Sequence, residues 1–211
     1  GLTVTHYYND AYDFGAGAFA SAVPAGDHFV YAYAATLTPA LGGTTGKVYA
    51  AGRTADATDL TLDPGALLDA SDSIGLTITG ATYGDKNAGS GKAVTADIAI
   101  TSNPNNYALA STTASANVGD ISQAALVLSA ATDTKTYDAT TASTGVVGVT
   151  GLLGSDTVTG LSQSYGDKNV MGAGGSTLIV NGGYTVNDGN SGGNYAVTTQ
   201  TASGTISQAA L

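Results

Sequence analysis

The densest run of hard-cation donors in the chain is Asn187-Asp188-Gly189-Asn190-Ser191-Gly192-Gly193-Asn194. Carboxylate and amide oxygens separated by glycines are what a calcium loop requires, so Asn187, Asp188 and Asn190 are the candidate calcium ligands. The run lacks the spaced Asp set and closing Glu of an EF-hand, and a plain polar loop is the competing reading. A second constellation lies near the N-terminus. Tyr8, Tyr12 and Phe14 offer stacking faces beside Asn9, Asp10 and Asp13, the ingredients of a sugar site. Tyr8, Asp10, Tyr12 and Asp13 are therefore candidate glycan-binding residues.

Other chemistries find less to work with. The chain has no cysteine and two histidines, His6 and His28, neither of which sits in a motif that would activate a serine. Asp56, Asp59, Asp63, Asp69 and Asp72 cluster closely enough for paired-carboxylate catalysis, but Asp beside small residues is first of all turn chemistry. Gly91-Lys92 is followed by Ala93 where a phosphate loop has Ser or Thr, which speaks against a nucleotide site. A lysine isopeptide crosslink from Lys47 or Lys135 has no glutamate to assist it. No catalytic residue is expected, and no cofactor other than calcium.

Only 10% of the 211 residues are charged, and the 16 acidic residues are all aspartate against six Lys plus Arg. A net charge of −10 with so few cations argues against nucleic acid, whose binding depends on neutralised phosphates, and against an anionic membrane surface. No apolar run is long enough to span a bilayer as a helix. Helix formers are scarce, whereas Gly, Thr, Ser, Ala and Val abound. The expectation is an all-β chain rich in turns.

The elements that position these residues come twice. Thr82-Tyr83-Gly84-Asp85-Lys86-Asn87 returns as Ser164-Tyr165-Gly166-Asp167-Lys168-Asn169, and Ile121-Ser122-Gln123-Ala124-Ala125-Leu126 returns as Ile206-Ser207-Gln208-Ala209-Ala210-Leu211. Lys47-Val48-Tyr49 answers to Lys135-Thr136-Tyr137, and Asn106-Tyr107 to Asn194-Tyr195. The repeat-defining residues are thus Tyr49, Tyr83, Asp85, Asn87 and Tyr107, with Tyr137, Asp138, Tyr165, Asp167, Asn169 and Tyr195. Offsets between counterparts run from 82 to 88 residues, so small insertions fall in the loops. Residues 47–126 and 127–211 read as two complete units. Residues 1–46 read as the end of a divergent preceding unit plus linker, with Leu37-Thr38-Pro39-Ala40-Leu41 as a variant of the closing block. The chain stops at Leu211, the counterpart of Leu126, which suggests a segment of something longer. Short alternating strands between closely spaced turns predict tandem domains, sandwich-like or β-grasp-like, set in line as an extended stalk. One short helix is expected at Leu67–Ser71.

Taken together, Lys135-Thr136-Tyr137-Asp138-Ala139-Thr140-Thr141, Tyr165-Gly166-Asp167-Lys168-Asn169, Asn194-Tyr195 and the closing Ile206–Leu211 block resemble the YDG/MBG-type repeats of filamentous-haemagglutinin-like surface adhesins. The family pattern Lys-x-Tyr-Asp-Gly-Thr has its glycine replaced by Ala139 here, and by Ala51 in Tyr49-Ala50-Ala51. The resemblance implies a secreted, non-enzymatic, β-rich stalk module of a Gram-negative exoprotein. The expected function is a structural or adhesive segment of a surface adhesin or matrix protein, with neighbouring repeats of the same chain as partners. A polysaccharide-binding module and a self-associating extracellular filament subunit are the alternatives.

Overall fold

Val94, Ala96 and Ile98 are buried along the strand Gly89–Ser102, while Asp97 between them lies exposed; this two-residue period decides which face turns inward. The structure is a computed structural model and describes residues 5–7, 12–13, 18–19, 28–30, 34–67, 72–102 and 107–210. Within these the chain is all-β, with no helix and with its strands in several curled sheets. Of the short helix expected at Leu67–Ser71, residues 68–71 lie outside the described set. The described chain forms two compact units. The first is Gly1–Gly46, Arg53–Asp85 and Gly91–Asp120; the second is Lys47–Gly52, Lys86–Ser90 and Ile121–Leu211.

The main sheet of the first unit has the order Thr45–Val48, Thr113–Ser122, Gly89–Ser102, Gly75–Tyr83. Its hairpin pairs Val94 with Tyr83 and Ile100 with Leu76, with a register shift between Asp97 and Ile98. Tyr83 is buried, and its hydroxyl donates to the carbonyls of Thr45 at 3.1 Å and Asp120 at 3.2 Å. Room for the ring comes from Gly119, where a Cβ would lie 2.5 Å from Tyr83 Cε1 and 2.7 Å from Val94 Cγ2. Beside this sheet, Ala35–Leu37 pairs in parallel with Tyr107–Leu109, and Ala40–Gly43 pairs antiparallel with Leu60–Asp63.

The second unit repeats the scheme. Its main sheet has the order Asp133–Thr136, Ala202–Ser207, Ser176–Val180, Gln163–Tyr165. The first two strands are parallel, with Lys135 opposite Ile206, and the others antiparallel, with Tyr165 opposite Leu178. Parallel neighbours need a long crossover connection, so the unit is closed by the pairing of its early strand with its last. Tyr165, Leu178 and Ile206 form a buried core cluster, with Ala130 and Ala202 packed against it. Gly204 does for Tyr165 what Gly119 does for Tyr83: a Cβ there would meet Tyr165 Cε1 at 2.7 Å. A second sheet runs Gly148–Thr150, Ala124–Ser129, Tyr195–Gln200, the last two parallel from Ala124 opposite Tyr195 to Ser129 opposite Gln200. The long hairpin of the first unit is broken here, into Gln163–Tyr165 with Ser176–Val180 and Thr157–Thr159 with Thr185–Asn187. The breaks fall at Gly160 (φ +74°) and Gly183 (φ +90°), left-handed backbone that ends a pleated strand and that glycine adopts without steric penalty.

These pairings move two blocks of the sequence. Ala124–Ser129 pairs forward, with Gly148–Thr150 and Tyr195–Gln200, so the block expected to close one repeat also opens the next. Likewise Ala35–Leu37 and Ala40–Gly43 pair forward, with Tyr107–Leu109 and Leu60–Asp63. Leu37, not Leu41, takes the place of Leu126, because Ala35–Leu37 lies on Tyr107 as Ala124–Leu126 lies on Tyr195. Pro39 interrupts the strand in the first copy, since proline has no amide to donate to a ladder.

The substituted glycine of the Tyr-Asp-Gly motif leaves a mark. Ala51 and Ala139 both stand in the left-handed region, at φ 57° and 63°, where an L-residue with a Cβ costs about 1–2 kcal/mol. Ala139→Gly should therefore stabilise the second unit by about 0.5–1 kcal/mol, less than the full strain because glycine also gains freedom in the unfolded chain. Urea melts of the two proteins check this; a loss of stability would show that the alanine is unstrained.

Candidate functional site

The most chemically loaded cluster of the second unit gathers around Asp156. Asp156 lies in the turn before Thr157–Thr159, its amide donating to the Leu153 carbonyl at 3.2 Å. Tyr195 opens the strand Tyr195–Gln200, and Tyr49 is anchored where its amide donates to Ser122 O at 2.8 Å. These backbones bring two phenols to one carboxylate oxygen: Tyr49 Oη donates to Asp156 Oδ2 at 2.9 Å and Tyr195 Oη at 2.7 Å. The rings meet edge to face with centroids 5.4 Å apart, a favourable aromatic geometry. Lys86 Nζ donates to Tyr49 Oη at 3.1 Å, lies 3.8 Å from Asp156 Oδ1, and sits 5.7 Å from the Tyr49 ring centroid. Tyr195 Oη also accepts from the Leu153 amide at 2.9 Å.

Both tyrosines and Asp156 are buried, and a buried carboxylate is tolerated where hydrogen bonds and a cation compensate its lost hydration. Burial, reinforced by the Asp156 carboxylate, pushes the Tyr195 phenol up to about 12. Burial also raises Tyr49, with Lys86 opposing and Asp156 adding to the rise. The hydrogen bond to Tyr49 raises Lys86. With one carboxylate oxygen saturated by two phenols and the lysine engaged, the cluster is built to hold four chain segments together.

A pH dependence follows. A phenol raised from about 10 in the unfolded chain to about 12 in the fold favours the folded state by roughly 2–3 kcal/mol at neutral pH. That contribution is fully present below pH 10 and is lost as pH rises through 12, because only the folded state resists ionisation. Urea midpoints should fall steeply between about pH 10 and 12. In Tyr195→Phe the starting stability is lower and the alkaline fall shallower; equal slopes in both proteins would refute the role of Tyr195.

Next to this cluster lies the loop read as a calcium site. Asp188 is only 2% exposed; its Oδ1 accepts the amides of Asn190 at 2.7 Å and Gly192 at 2.9 Å, and its Oδ2 that of Asn194 at 3.0 Å. Burial alone would raise its pKa, but the Gly192, Asn190 and Asn194 amides together hold it below the usual carboxylate range. Asn187 turns its amide to the hydroxyls of Thr157 at 3.3 Å and Thr159 at 3.2 Å, and Asn190 gives its own to Asn194 Oδ1 at 3.1 Å. The carboxylate thus serves as the loop's internal acceptor, and among the described residues no group of three His, Cys, Asp or Glu could hold a metal ion. What the loop positions is Asn194, fully buried. Its Oδ1 accepts the Ala88 amide at 2.8 Å and its Nδ2 donates to Asn87 Oδ1 at 3.3 Å. The Asn194 carbonyl accepts the Ala124 amide at 2.9 Å, and Gln123 Nε2 donates to Gly193 O at 3.0 Å.

The first unit holds a related pair, in which Tyr107 Oη donates to Asp72 Oδ2 at 2.5 Å. The remaining aspartates serve turns. Asp56 accepts Thr58, Asp63 accepts the Gly65 amide and Asp167 the Asn169 amide, while Asp85 is paired with Lys92. Asp138 is held down to about 2, first by Lys135 and then by the Thr140 amide and hydroxyl. Of the glycan candidates, Tyr8 and Asp10 lie outside the described residues; Tyr12–Asp13 forms a backbone strand with Ala18–Phe19.

Asp156, Lys86 and Asn194 were not singled out from sequence. The signal for Asp156 is the pair Ser71-Asp72-Ser73 and Ser155-Asp156-Thr157, each a short way before the Tyr-Gly-Asp-Lys-Asn turn; Lys86 and Asn194 stand inside the repeated Tyr-Gly-Asp-Lys-Asn and Asn-Tyr blocks.

A family model of the YDG domain matches residues 33–114 and again residues 122–202. No curated protein and no solved structure matches the chain.

Proposed function

The chain belongs to the YDG domain family, in two tandem copies, and on that footing we propose that it is a structural stalk segment of a large secreted surface adhesin or extracellular matrix protein of a Gram-negative bacterium. The observation that carries this reading is where the shared residues go. Tyr49, Tyr83, Tyr107, Tyr165 and Tyr195 are all buried, and the aspartates and asparagines around them close turns or bridge segments. Residues kept in both copies serve packing and serial continuity, as a spacer requires; such a role needs no catalysis. An acidic, cation-poor composition suits a spacer that does not engage nucleic acid.

The test is surface display. Antibodies raised against the 211-residue chain should label intact, unpermeabilised source cells, and brief external proteolysis should remove the label. Label that emerges only after lysis would sink the reading.

A further inference from the structure

The same face occurs twice in the chain, once covered and once bare. Inside the second unit, Tyr49 is 1% exposed, Ala124 is 5% exposed, and Lys86, Asn87 and Ala88 are half-buried under Asp156, Asn194 and Tyr195. Their counterparts in the second copy are Tyr137, Ala209, Lys168, Asn169 and Val170. Tyr137 is 37% and Val170 39% exposed, and Lys168, Asn169 and Ala209 are exposed as well. The backbone beneath is alike in both: the Tyr49 amide donates to Ser122 O at 2.8 Å, and the Tyr137 amide to Ser207 O at 2.9 Å. Tyr137, Asn169, Val170, Gln208 and Ala209 line one open groove.

We propose that this groove, with Lys168 at its edge, is the seat for a further YDG repeat joined in series after Leu211. The inference rests on the serial-repeat part of the functional reading. The first copy states what the occupant must bring. A buried aspartate and a tyrosine meet the Tyr137 phenol and the Lys168 ammonium. An asparagine side chain accepts the Val170 amide and donates to Asn169 Oδ1, and a strand adds in parallel to the segment from Ala209 onward, as Tyr195–Gln200 adds to Ala124–Ser129. The exposed apolar surface of Val170 and Met171 (51% exposed) becomes part of the seat, in keeping with an apolar patch that marks an interface. A second copy of this chain has no such face to offer. Its Asp156, Asn194 and Tyr195 are engaged by Tyr49 and Asn87, and its Tyr107 strand by Asp72 and Ala35–Leu37.

The test extends the 211-residue chain by a second copy of residues 127–211 after Leu211 and follows tyrosine nitration by tetranitromethane, residue by residue, by mass spectrometry. In the unextended chain Tyr137 should react readily while Tyr49 is protected. In the extended chain Tyr137 should slow by about tenfold or more, because reaction then requires local opening, and changing the added copy's counterpart of Asp156 to alanine should restore its reactivity. Unchanged reactivity of Tyr137, with the added copy's counterpart of Tyr165 protected and that copy therefore folded, overturns the proposal. If that core tyrosine reacts, a chain extended with residues 38–126 puts the same question with Asp72 and Tyr107 as the incoming groups. Protection of Tyr137 by untethered chain added in trans would also overturn the serial assignment. Loss of surface label with Tyr137 protected strikes the cellular role alone; surface label with Tyr137 reactive strikes this inference alone.

Discussion

Tyr165→Ala should lower the stability of the second unit by about 3–5 kcal/mol, while Tyr137→Ala costs about 1 kcal/mol or less. The two tyrosines stand 28 positions apart in the same repeat, and composition or local pattern does not rank them. Tyr165 is 1% exposed and packs on Leu178 and Ile206 over Gly204, whose missing side chain leaves its space to the ring. Truncation leaves a cavity that a β-sheet core closes poorly, since its strands are held by hydrogen bonds on either side. Hydroxyl loss alone is mild, because Tyr165 Oη reaches Thr205 O only at 3.5 Å; Tyr165→Phe should stay within about 1 kcal/mol of the parent. Two compact units need not melt as one, so the measurement is hydrogen exchange of peptides from each unit under increasing urea. A Tyr137→Ala loss as large as that of Tyr165→Ala would contradict the burial assigned to both.

Asp156→Ala is the second large effect, about 3–5 kcal/mol. It strips the shared acceptor from Tyr49 Oη and Tyr195 Oη, each buried phenol then facing a desolvation cost of roughly 1–3 kcal/mol. Lys86 contributes less to the loss, because its partly exposed side chain can turn to water, which screens the pair. Asp156→Asn keeps one oxygen acceptor and should recover more than half of the loss. A double-mutant cycle with Tyr49→Phe isolates the hydrogen bond; the expected coupling is about 1–2 kcal/mol. Additive single effects would mean that Tyr49 and Asp156 act independently. Exchange protection of residues 47–52 should fall together with that of the strand Tyr195–Gln200 in Asp156→Ala, since both lean on the same carboxylate.

Much of this architecture is legible in the residues. Absent Glu, sparse Lys and abundant Gly, Thr and Val leave few segments able to form a helix, and the described chain has none. Two copies with a common order of landmarks follow from sequence identity alone, and the family match falls on both. Tyr-Gly-Asp-Lys-Asn makes a turn in which the Asp167 side chain accepts the Asn169 amide two residues on, the local hydrogen bond that favours Asp in turns. The Asp188 loop shows how far such reading goes. Its residues offer a set of oxygen donors, but whether these face a cation or the loop's own amides depends on which way the chain folds over them. Here the two Asp188 oxygens face inward, onto three backbone N–H groups.

Sequence by itself determined the class, the duplication and the identity of the landmark tyrosines, because these depend on alternation and turn chemistry within a few residues. Tertiary structure alone decided which neighbour each strand chose. Leu126 ends a repeated block, yet its strand pairs with residues 148–150 and 195–200, and parallel pairing across such a crossover has no local signature. Tertiary structure also separated Tyr49 from Tyr137. Both close the same Lys-x-Tyr motif, but the first gives its hydroxyl to an aspartate 107 residues away and the second stands in an open groove. Burial is set by what arrives from far along the chain, and a repeat copied in sequence does not carry its surroundings with it.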